Sequence, residues 1–562
     1  MNLKHQEAQE KLRGGYYTPP EITEFLVRWG MAINPQSILE PSCGDGAFIQ
    51  AIGSCSDSLN GVDFHGVELI KQEATKARKK FYDLEQKGCS GTGVTRGEFF
   101  DFISKKKKRT LRNGADLVIG NPPYIRYQYF EHGREIAESR LEELGIKTTK
   151  HANAWLHFLA ESVSVMSQNS RIAMVIPAEL LHISYAADLR RWLLENLSSV
   201  TIITFEKLVF PGVQQEVVLF LGEKNQSRRK KKIKLLQFSD VSKLDQSIIK
   251  HVNKKAPVVL KDQDKWNCYF LSRKELDFFN KTVEAFGERR FEQIASIDIG
   301  IVTGANKFFC VNQETVKKWK FDEANGYLEV LPMMGRSSEV SGLEFTRRDL
   351  KNNSNSGKSC YFLRFSDKYK QSHLPSRLNR YLREGRRQEL HTRFKCRIRD
   401  PWFWIPSVYA SELSMFKRAS EYNRLIHNTV GAYTTDTVYR VKCLENDEGI
   451  TARHLAFSFI NSLTFLSCEL EGRNYGGGVL ELVPSEVERV ILPVYKCSDE
   501  EFSILDRMLR ENVPIDEILD YTDCLIFKDK MDKRSISMIR KSWRKLEQRR
   551  AVRAASKVKK SI

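Results

Sequence analysis

The chain has 562 residues, a length that indicates two or more domains. Its 41% hydrophobic residues exclude a disordered protein, and its net charge is +19. The basic excess favours a polyanionic partner, with nucleic acid the first expectation and an anionic membrane surface the second. No apolar run is long enough to span a bilayer and the 11 cysteines are scattered, so we expect a cytoplasmic protein with reduced thiols, no membrane and no metal site.

Between about residues 20 and 240, apolar segments alternate with helical patterns, which is typical of a mostly parallel α/β sheet. Helices are predicted at FLVRWGMAI, GAFIQAI, KQEATKARKKFYDLEQ and WLHFLAESVSVM. Strands are predicted at SILEP, FHGVELI, GADLVIG, RIAMVIP, SVTIITF, EVVLFLGE and KIKLLQF. The last three strands are expected to be antiparallel at the end of the sheet.

After about residue 240 the pattern changes to mixed strands, helices and long polar connections. We therefore predict a first domain over residues 1–245 and a second, α+β domain over residues 246–562. Within the second domain, RDLKNNSNSGKS predicts a mobile loop, and the chain is expected to finish in a basic helix.

A glycine-containing turn follows the first predicted strand, in ILEPSCGDGAFI, residues 38–49. The strand ends at Glu40, and Gly44 and Gly46 allow a ligand to approach the backbone at the carboxyl edge of the sheet. A nucleotide phosphate is disfavoured because acidic residues flank the turn and no G-x-x-x-x-G-K-[ST] motif is present.

Acidic residues also follow the next two strands. Glu68 is placed where a carboxylate can accept from two ribose hydroxyls. Glu98 or Asp101 can accept from an exocyclic amine, and Phe99 can pack against a purine. Three solvated loop acids are the alternative, but their recurrence at consecutive strand ends favours an adenosine without phosphates, as in S-adenosylmethionine.

The stretch VIGNPPYIRY, residues 118–127, places an amide, two prolines and an aromatic ring at the end of a buried strand. The amide oxygen of Asn121 and the carbonyl of Pro122 can accept hydrogen bonds from one amino group, and Tyr124 can stack on a planar base. Such a turn favours direct methyl transfer to a conjugated amine, with catalysis mostly by positioning.

The NPPY turn, the EPSCGDGAF segment and the preceding GGYYTPPEITEFLV together resemble the gamma class of DNA adenine-N6 methyltransferases, the TaqI-like group of type II restriction-modification systems. The resemblance covers about residues 12 to 240. It implies a Rossmann-like class I SAM-dependent methyltransferase sheet followed by a C-terminal target-recognition domain.

The resemblance also implies roles by position. In the pocket for S-adenosylmethionine, Thr18 would lie beside the methionine part, Glu40 and Ser42 at the amino-acid end, and Gly44 in the turn. Glu68 would bind the ribose, and Glu98 and Phe99 would lie near the adenine. Pro123 and Phe158 would complete the pocket. Glu98 stands where the family usually has Asp, so Asp101 remains an alternative. Asn121, Pro122 and Tyr124 would hold the target adenine, and Phe210 would pack on the base opposite Tyr124.

An enzyme of this class must flip the adenine out of double-stranded DNA, so the second domain is expected to bind the flanking duplex. Two of its segments, IDIGIVTGANKFF and GRNYGGGVLELVPSEVERVILP, resemble parts of target-recognition domains in this group. The predicted DNA contacts are Lys307, Arg397, Arg399, Arg473, Asn474 and Tyr475.

Other readings remain open. Related enzymes methylate adenine in RNA or a glutamine amide in proteins, and a methyltransferase subunit of a phage-defence system or a non-catalytic DNA-binding module are further alternatives. A fused nuclease is disfavoured because the GGYYTPP segment lies near the start of the sequence. We expect a monomer that modifies DNA without forming a stable complex with a separate cognate restriction endonuclease.

Overall fold

The computed structural model divides by its contacts between Arg273 and Lys274 into two units, with the residues after Ala551 grouped with the first. The structure describes residues 18–111, 113–148, 152–207, 209–210, 216–225, 232–244, 265–324, 326–366, 373–445, 447–475, 478–528 and 530–558.

The first unit is built on one eight-stranded sheet in the order β3-β2-β1-β4-β5-β7-β6-β8. Its strands are β1 (Ser37–Glu40), β2 (Asp63–Glu68), β3 (Ser90–Arg96), β4 (Ala115–Gly120), β5 (Met166–Pro177), β6 (Ser199–Phe205), β7 (Val217–Lys224) and β8 (Lys232–Phe238). The five strands β1 to β5 pair in parallel with one another. Parallel strands share one carboxyl edge, so Glu40, Glu68 and Gly120 come together there.

The far end of this sheet contains the single antiparallel element. Strand β7 lies antiparallel between β5 and β6, which confirms the predicted antiparallel end of the sheet. The prediction for KIKLLQF was wrong, because β8 pairs in parallel with β6. The reason is topological: β8 lies beside β6 on the side away from β7, so β7 and β8 do not pair as a hairpin.

Helices cover the sheet of the first unit. They are α1 (Pro20–Met31), α2 (Ala47–Cys55), α3 (Lys71–Gln86), α4 (Phe99–Thr110), α5 (Arg134–Glu143), α6 (Ala154–Ser164) and α7 (Ala187–Asn196). The helix predicted at KQEATKARKKFYDLEQ coincides with α3. Its buried residues Ala74, Ala77, Phe81 and Leu84 recur at spacings of three and four, as expected for one helical face against a core.

The second unit is α+β, as predicted, with sheets in the orders β10-β13-β11-β17, β12-β16-β14-β18-β9 and β15-β20-β19. Its strands are β9 (Ala295–Asp298), β10 (Cys310–Val311), β11 (Leu328–Met334), β12 (Glu344–Phe345), β13 (Tyr361–Phe365), β14 (Leu413–Phe416), β15 (Arg418–Ala419), β16 (Leu425–Asn428), β17 (Tyr433–Thr434), β18 (Val438–Cys443), β19 (Arg473–Tyr475) and β20 (Val479–Glu481). Its helices are α8 (Arg273–Ala285), α9 (Asn306–Phe309), α10 (Gln313–Trp319), α11 (Arg347–Asn355), α12 (Ser376–Arg387), α13 (Phe394–Arg397), α14 (Ala452–Ser458), α15 (Ser462–Glu471), α16 (Pro484–Val487), α17 (Asp499–Arg510), α18 (Ile515–Phe527) and α19 (Lys533–Val558), the predicted basic helix.

The prediction of a mobile loop at RDLKNNSNSGKS was wrong, because most of this segment forms helix α11. Thr346 and Asp349 cap its first turn reciprocally, with the Thr346 hydroxyl accepting from the Asp349 N–H. Asn353 is buried and donates to the carbonyl of Glu339 at 2.8 Å. A good cap and one tertiary bond thus outweigh the poor helix propensity of the Asn and Ser residues.

Among the described residues, no helix has the length and apolar character required to cross a bilayer. All 11 cysteines are free thiols.

Candidate active site

A cavity of about 630 Å³ opens at the carboxyl ends of β1, β2 and β4. All the residues predicted to bind the cofactor line it, together with Asn121 of the NPPY turn: Thr18, Glu40, Ser42, Gly44, Glu68, Glu98, Phe99, Pro123 and Phe158. They come from six separate segments of the chain, so the topology of the parallel sheet is what brings them to one place.

The glycine turn after β1 orients Glu68. Gly44 has a φ of +53°, and its N–H donates to Glu68 Oε2 at 2.9 Å. The N–H of Ile70 donates to Glu68 Oε1 at 2.8 Å. Burial raises the pKa of this carboxyl group, and the two N–H donors oppose the rise because they favour the charged form. Glu68 is thus held rigidly in the cavity wall by backbone donors.

Glu40, at the end of β1, is fully buried, and neither of its carboxylate oxygens has a hydrogen-bond partner. The nearby Cys43 thiol bonds to the backbone carbonyl of Glu40 instead, with 3.8 Å between the sulfur and the oxygen. Burial raises the pKa of Glu40 well above its ordinary value, the adjacent Cys43 thiol opposes the rise, and the charge of Glu68 adds to it. An unpaired buried carboxylate is costly unless a cationic or donor group meets it.

The amide of Asn121 is oriented from two sides. Its Nδ2 donates to Thr18 Oγ1 at 3.2 Å, and the Tyr124 hydroxyl lies 2.7 Å from Asn121 Oδ1 and 3.0 Å from the carbonyl of Val175. The Ser42 hydroxyl donates to the backbone carbonyl of Asn121 at 3.0 Å. The NPPY turn is therefore tied both to the glycine turn and to β5. An amide oxygen has two lone pairs, so Oδ1 can accept a second donor beside Tyr124.

Changing Tyr124 to phenylalanine is expected to lower kcat for methyl transfer about fivefold while leaving the Michaelis constant for DNA almost unchanged. The ring remains available for stacking, but the hydroxyl that orients Asn121 is lost, and one hydrogen bond contributes about 1 kcal/mol. Single-turnover kinetics would measure the change, with the exposed Tyr82→Phe as control. An unaltered kcat would show that the hydroxyl does not orient the amide.

An aromatic wall closes the far side of the cavity. The Phe99 and Phe158 rings stack with their centroids 5.2 Å apart and an interplanar angle of 18°, and Phe100 meets Phe158 edge-on at 5.0 Å. All three rings are buried. Phe99 and Phe158 line the cavity and present an apolar surface suited to the flat face of a purine, and Phe100 supports them from behind.

Glu98, and not Asp101, lines this cavity. Glu98 Oε2 accepts from the Asp101 N–H at 2.8 Å, in the first turn of α4. Burial raises the pKa of Glu98 to about 7. The Asp101 carboxylate is paired with Lys105 at 2.7 Å on the helix surface. The structure therefore favours Glu98 as the acceptor that faces a ligand.

Sequence reasoning missed the segment Tyr129–His132, which also lines the cavity. The residue after it, Gly133, has a φ of +71°. A Cβ at Gly133 would lie 2.3 Å from the Glu98 carboxyl carbon, so only glycine permits this approach. The aromatic run YQYF directly after the NPPY turn was the available signal.

Phe210 is buried in the apolar core of the first unit, and Tyr124 packs against the same cluster. Pro122 is buried as well. Tyr124 and Phe210, which are expected to lie on opposite faces of the target base, thus contact the same core cluster, and the Phe210 ring is buried.

The predicted DNA contacts of the second unit divide into two groups. Lys307 and Arg397 are exposed. The Arg399 guanidinium donates to the carbonyls of Val302 and Thr303, and Arg473 pairs at 2.9 Å with the buried carboxylate of Glu486. These bonds give the two arginines a structural role, so we do not propose that they read bases. Asn474 is half-buried, and the side chain of Tyr475 lies outside the described residues.

Comparisons with known proteins agree with this geometry. Residues 3–290 match the family described as N-6 DNA Methylase, and residues 263–527 match the C-terminal domain of the type II methyltransferase M.Eco57I. The type II methyltransferase M.AccI of Acinetobacter calcoaceticus is 23% identical over 550 residues, 94% of each chain. The type II methyltransferase M.HindII of Haemophilus influenzae is 24% identical over 332 residues, 54% of this chain and 57% of that protein.

A solved structure of the type IIL restriction-modification enzyme MmeI in complex with DNA is similar in fold, with a TM-score of 0.53 and 12% identity over 94% of this chain and 75% of that chain. The predicted fold class and the resemblance to the gamma class of adenine methyltransferases are confirmed. Because the N-6 DNA Methylase match spans just over half of the residues, this chain belongs to that family and is an adenine-specific DNA methyltransferase.

Proposed function

We propose that this enzyme transfers a methyl group from S-adenosylmethionine to N6 of an adenine flipped out of double-stranded DNA. The observation that supports this most is Glu40, whose two buried oxygens have no partner on the wall of the cavity that Asn121 and Pro123 also line. A ligand with an ammonium group at one end and a purine at the other would place the ammonium against Glu40 and the purine against Phe99 and Phe158.

The residues present fit S-adenosylmethionine. Glu40 would meet the ammonium of its methionine part, Glu68 its ribose hydroxyls, and Glu98 with Phe99 and Phe158 its adenine. When bound, S-adenosylmethionine supplies an electrophilic methyl group on a sulfonium sulfur. The apolar Pro123 and the aromatic wall would exclude water from that end of the cavity.

The NPPY turn would act on the target amine by positioning it. Asn121 Oδ1 and the Pro122 carbonyl accept its two hydrogens and so draw lone-pair density to the nitrogen. The Tyr124 hydroxyl holds Asn121 Oδ1, and the Ser42 hydroxyl holds the backbone carbonyl of Asn121, before the base arrives. Little reorganisation is therefore required at the moment of transfer. The face of Tyr124 stacks on the flipped adenine, which offsets part of the cost of leaving the duplex.

The biological role that fits best is protection of DNA from a separate cognate restriction endonuclease in the cytoplasm, by an enzyme that acts as a monomer. Single-molecule sequencing of DNA from cells expressing the chain tests the proposal, since it reads the modified base and its sequence context. We expect N6-methyladenine in one sequence motif. Unmodified DNA, together with no retention of labelled S-adenosylmethionine by the pure protein, would overturn the proposal.

The affinity for duplex DNA is expected to fall steeply with salt, because the net charge of +19 favours binding through phosphate contacts. The slope of log affinity against log salt concentration should be about −0.9 for each phosphate contacted. Fluorescence anisotropy of a labelled duplex over a salt series measures it. The affinity for S-adenosylmethionine is the control and should change little, and a DNA affinity indifferent to salt would refute the electrostatic part of the proposal.

A further inference from the structure

Two large apolar side chains of the second unit are exposed to solvent. Phe394 and Ile398 are each 62% exposed, the highest values among the large hydrophobic residues that the structure describes. The Ile398 N–H bonds to the Phe394 carbonyl at 3.4 Å, so the two residues lie one helical turn apart on the same side of α13. Single exposed apolar residues are common, but a neighbouring pair this exposed indicates a contact surface.

This apolar pair is presented by a rigid segment. Between the two residues, Cys396 is fully buried, and Arg399 donates to the carbonyls of Val302 and Thr303 just beyond them. A Cβ on Gly304 would lie 2.9 Å from Lys395 Cβ and 3.0 Å from Cys396 Sγ. The segment is therefore packed tightly against residues 303–306, so the backbone that carries Phe394 and Ile398 is held in place.

The surroundings of the pair are strongly basic. Arg393, Lys395 and Arg397 are exposed and alternate with the apolar residues, and the Lys395 ammonium lies 5.6 Å from the centroid of the Phe394 ring. Residues 376–399 contain nine Lys or Arg and only two Glu. Among the described residues, neither Lys395 nor Arg397 has an ion-pair partner. Cations around an apolar projection complement a polyanion with an apolar interior, which describes the base stack of duplex DNA.

We propose that Phe394 and Ile398 form a wedge that enters the base stack of the bound duplex, while Lys395 and Arg397 hold the phosphates on either side. The inference rests on the proposed function, since it assigns a partner surface to the same reaction. An inserted side chain unstacks the neighbouring bases and bends the duplex.

The test uses the full chain and a short duplex that carries the methylated motif, with 2-aminopurine substituted at each position in turn, the target included. Its fluorescence rises when stacking is lost. With the unaltered chain we expect a rise at the target and at one further base step, and with Phe394→Ala a rise at the target alone. The affinity of Phe394→Ala for the duplex should be about tenfold lower, as for the loss of one stacking contact, with the salt slope unchanged. Phe394→Leu, which keeps an apolar wedge, should restore most of the affinity.

The charged residues are tested separately. Lys395→Gln and Arg397→Gln should each reduce the magnitude of the salt slope by about 0.9 and leave the 2-aminopurine signal in place at saturating protein. The matched apolar control is Tyr82→Ala in the first unit, since Tyr82 is 60% exposed and should have no effect on either readout.

A Phe394→Ala variant that binds and unstacks the duplex like the unaltered chain would overturn the wedge, and so would a fluorescence rise confined to the target adenine. Methyl transfer by the unaltered chain is measured on the same duplex. Its absence would count against the proposed function, whereas the wedge is decided by the fluorescence of the bound duplex. Retention of S-adenosylmethionine affinity by Phe394→Ala shows that the variant is folded.

Discussion

Asn121→Ala is expected to lower kcat for methyl transfer by about 10²–10³-fold while the affinities for S-adenosylmethionine and for DNA stay within a few-fold of the unaltered protein. In the proposed mechanism the amide oxygen is a preorganised acceptor for the target amine, and removing one such group in a water-excluded site costs about this much. The other bonds of the turn remain, because the Ser42 hydroxyl bonds to the backbone of Asn121 and Tyr124 retains the Val175 carbonyl.

Single-turnover methylation, equilibrium dialysis of labelled cofactor and a DNA titration measure the three quantities. Asn60→Ala, at an exposed asparagine of the same unit, is the matched control and should leave all three unchanged. Near-normal turnover of Asn121→Ala would refute the assigned role. A parallel loss of cofactor binding would instead show that Asn121 mainly supports the cavity through its bond to Thr18.

Glu40→Gln is expected to have two opposite effects. It should weaken S-adenosylmethionine binding by about 10–100-fold, because a hydrogen bond to a charged group contributes about 1.5–3 kcal/mol. It should also raise the melting temperature of the ligand-free protein by about 2–4 °C, because a buried carboxylate without a partner destabilises the folded state. A residue that only supports the fold would lose stability on substitution, so the combination is specific to a ligand-binding carboxylate.

The second effect depends on pH. The pKa of Glu40 in the folded state is raised well above its ordinary value of 4.5, mainly by burial. Below pH 4.5 the carboxyl group is protonated in both the folded and the unfolded state, and its charge does not affect stability. As pH rises from 4.5 toward the folded-state pKa, only the unfolded state releases the proton, so the free energy of unfolding decreases. The melting temperature of the ligand-free Gln variant should therefore exceed that of the unaltered protein by more at pH 8 than at pH 5.

Differential scanning fluorimetry at the two pH values, with and without S-adenosylmethionine, tests this prediction. Glu73→Gln is a suitable control, since Glu73 also lines the cavity but pairs with Lys76 at 2.8 Å in α3. If Glu40→Gln lowered the melting temperature and bound cofactor normally, Glu40 would be a structural residue.

The chemistry of the site was readable from local sequence because its residues stand at strand ends. Glu40, Glu68 and Asn121 each follow a short apolar run, and parallel strands must end at a common edge. The sequence pattern also predicted α3 with its bounds, since one helical face recurs within sixteen residues. The residue types of Asn121–Tyr124 by themselves predict a stiff turn that accepts hydrogen bonds from a conjugated amine, because an amide and two prolines follow a buried strand.

Other features depend on residues far apart in the chain. The mobile loop predicted around α11 was wrong because the bond from Asn353 to Glu339 supplies stability that propensity does not record. The sequence leaves Glu98 and Asp101 as alternatives, and the tertiary structure distinguishes them, since Glu98 lines the cavity and Asp101 pairs with Lys105 on the helix surface. Arg399 resembled a DNA contact until its guanidinium was found on carbonyls 96 and 97 residues away.

By itself, the sequence determined the α/β class, the order of the motifs and the type of chemistry, because hydrophobic period and turn residues act over short stretches of chain. The tertiary structure alone decided which acid lines the cavity, that Glu40 lacks a partner, which arginines remain exposed and that Phe394 and Ile398 project together. The physical reason is that burial and hydrogen-bond satisfaction are properties of the packed chain, and contacts across about a hundred residues leave no local signal.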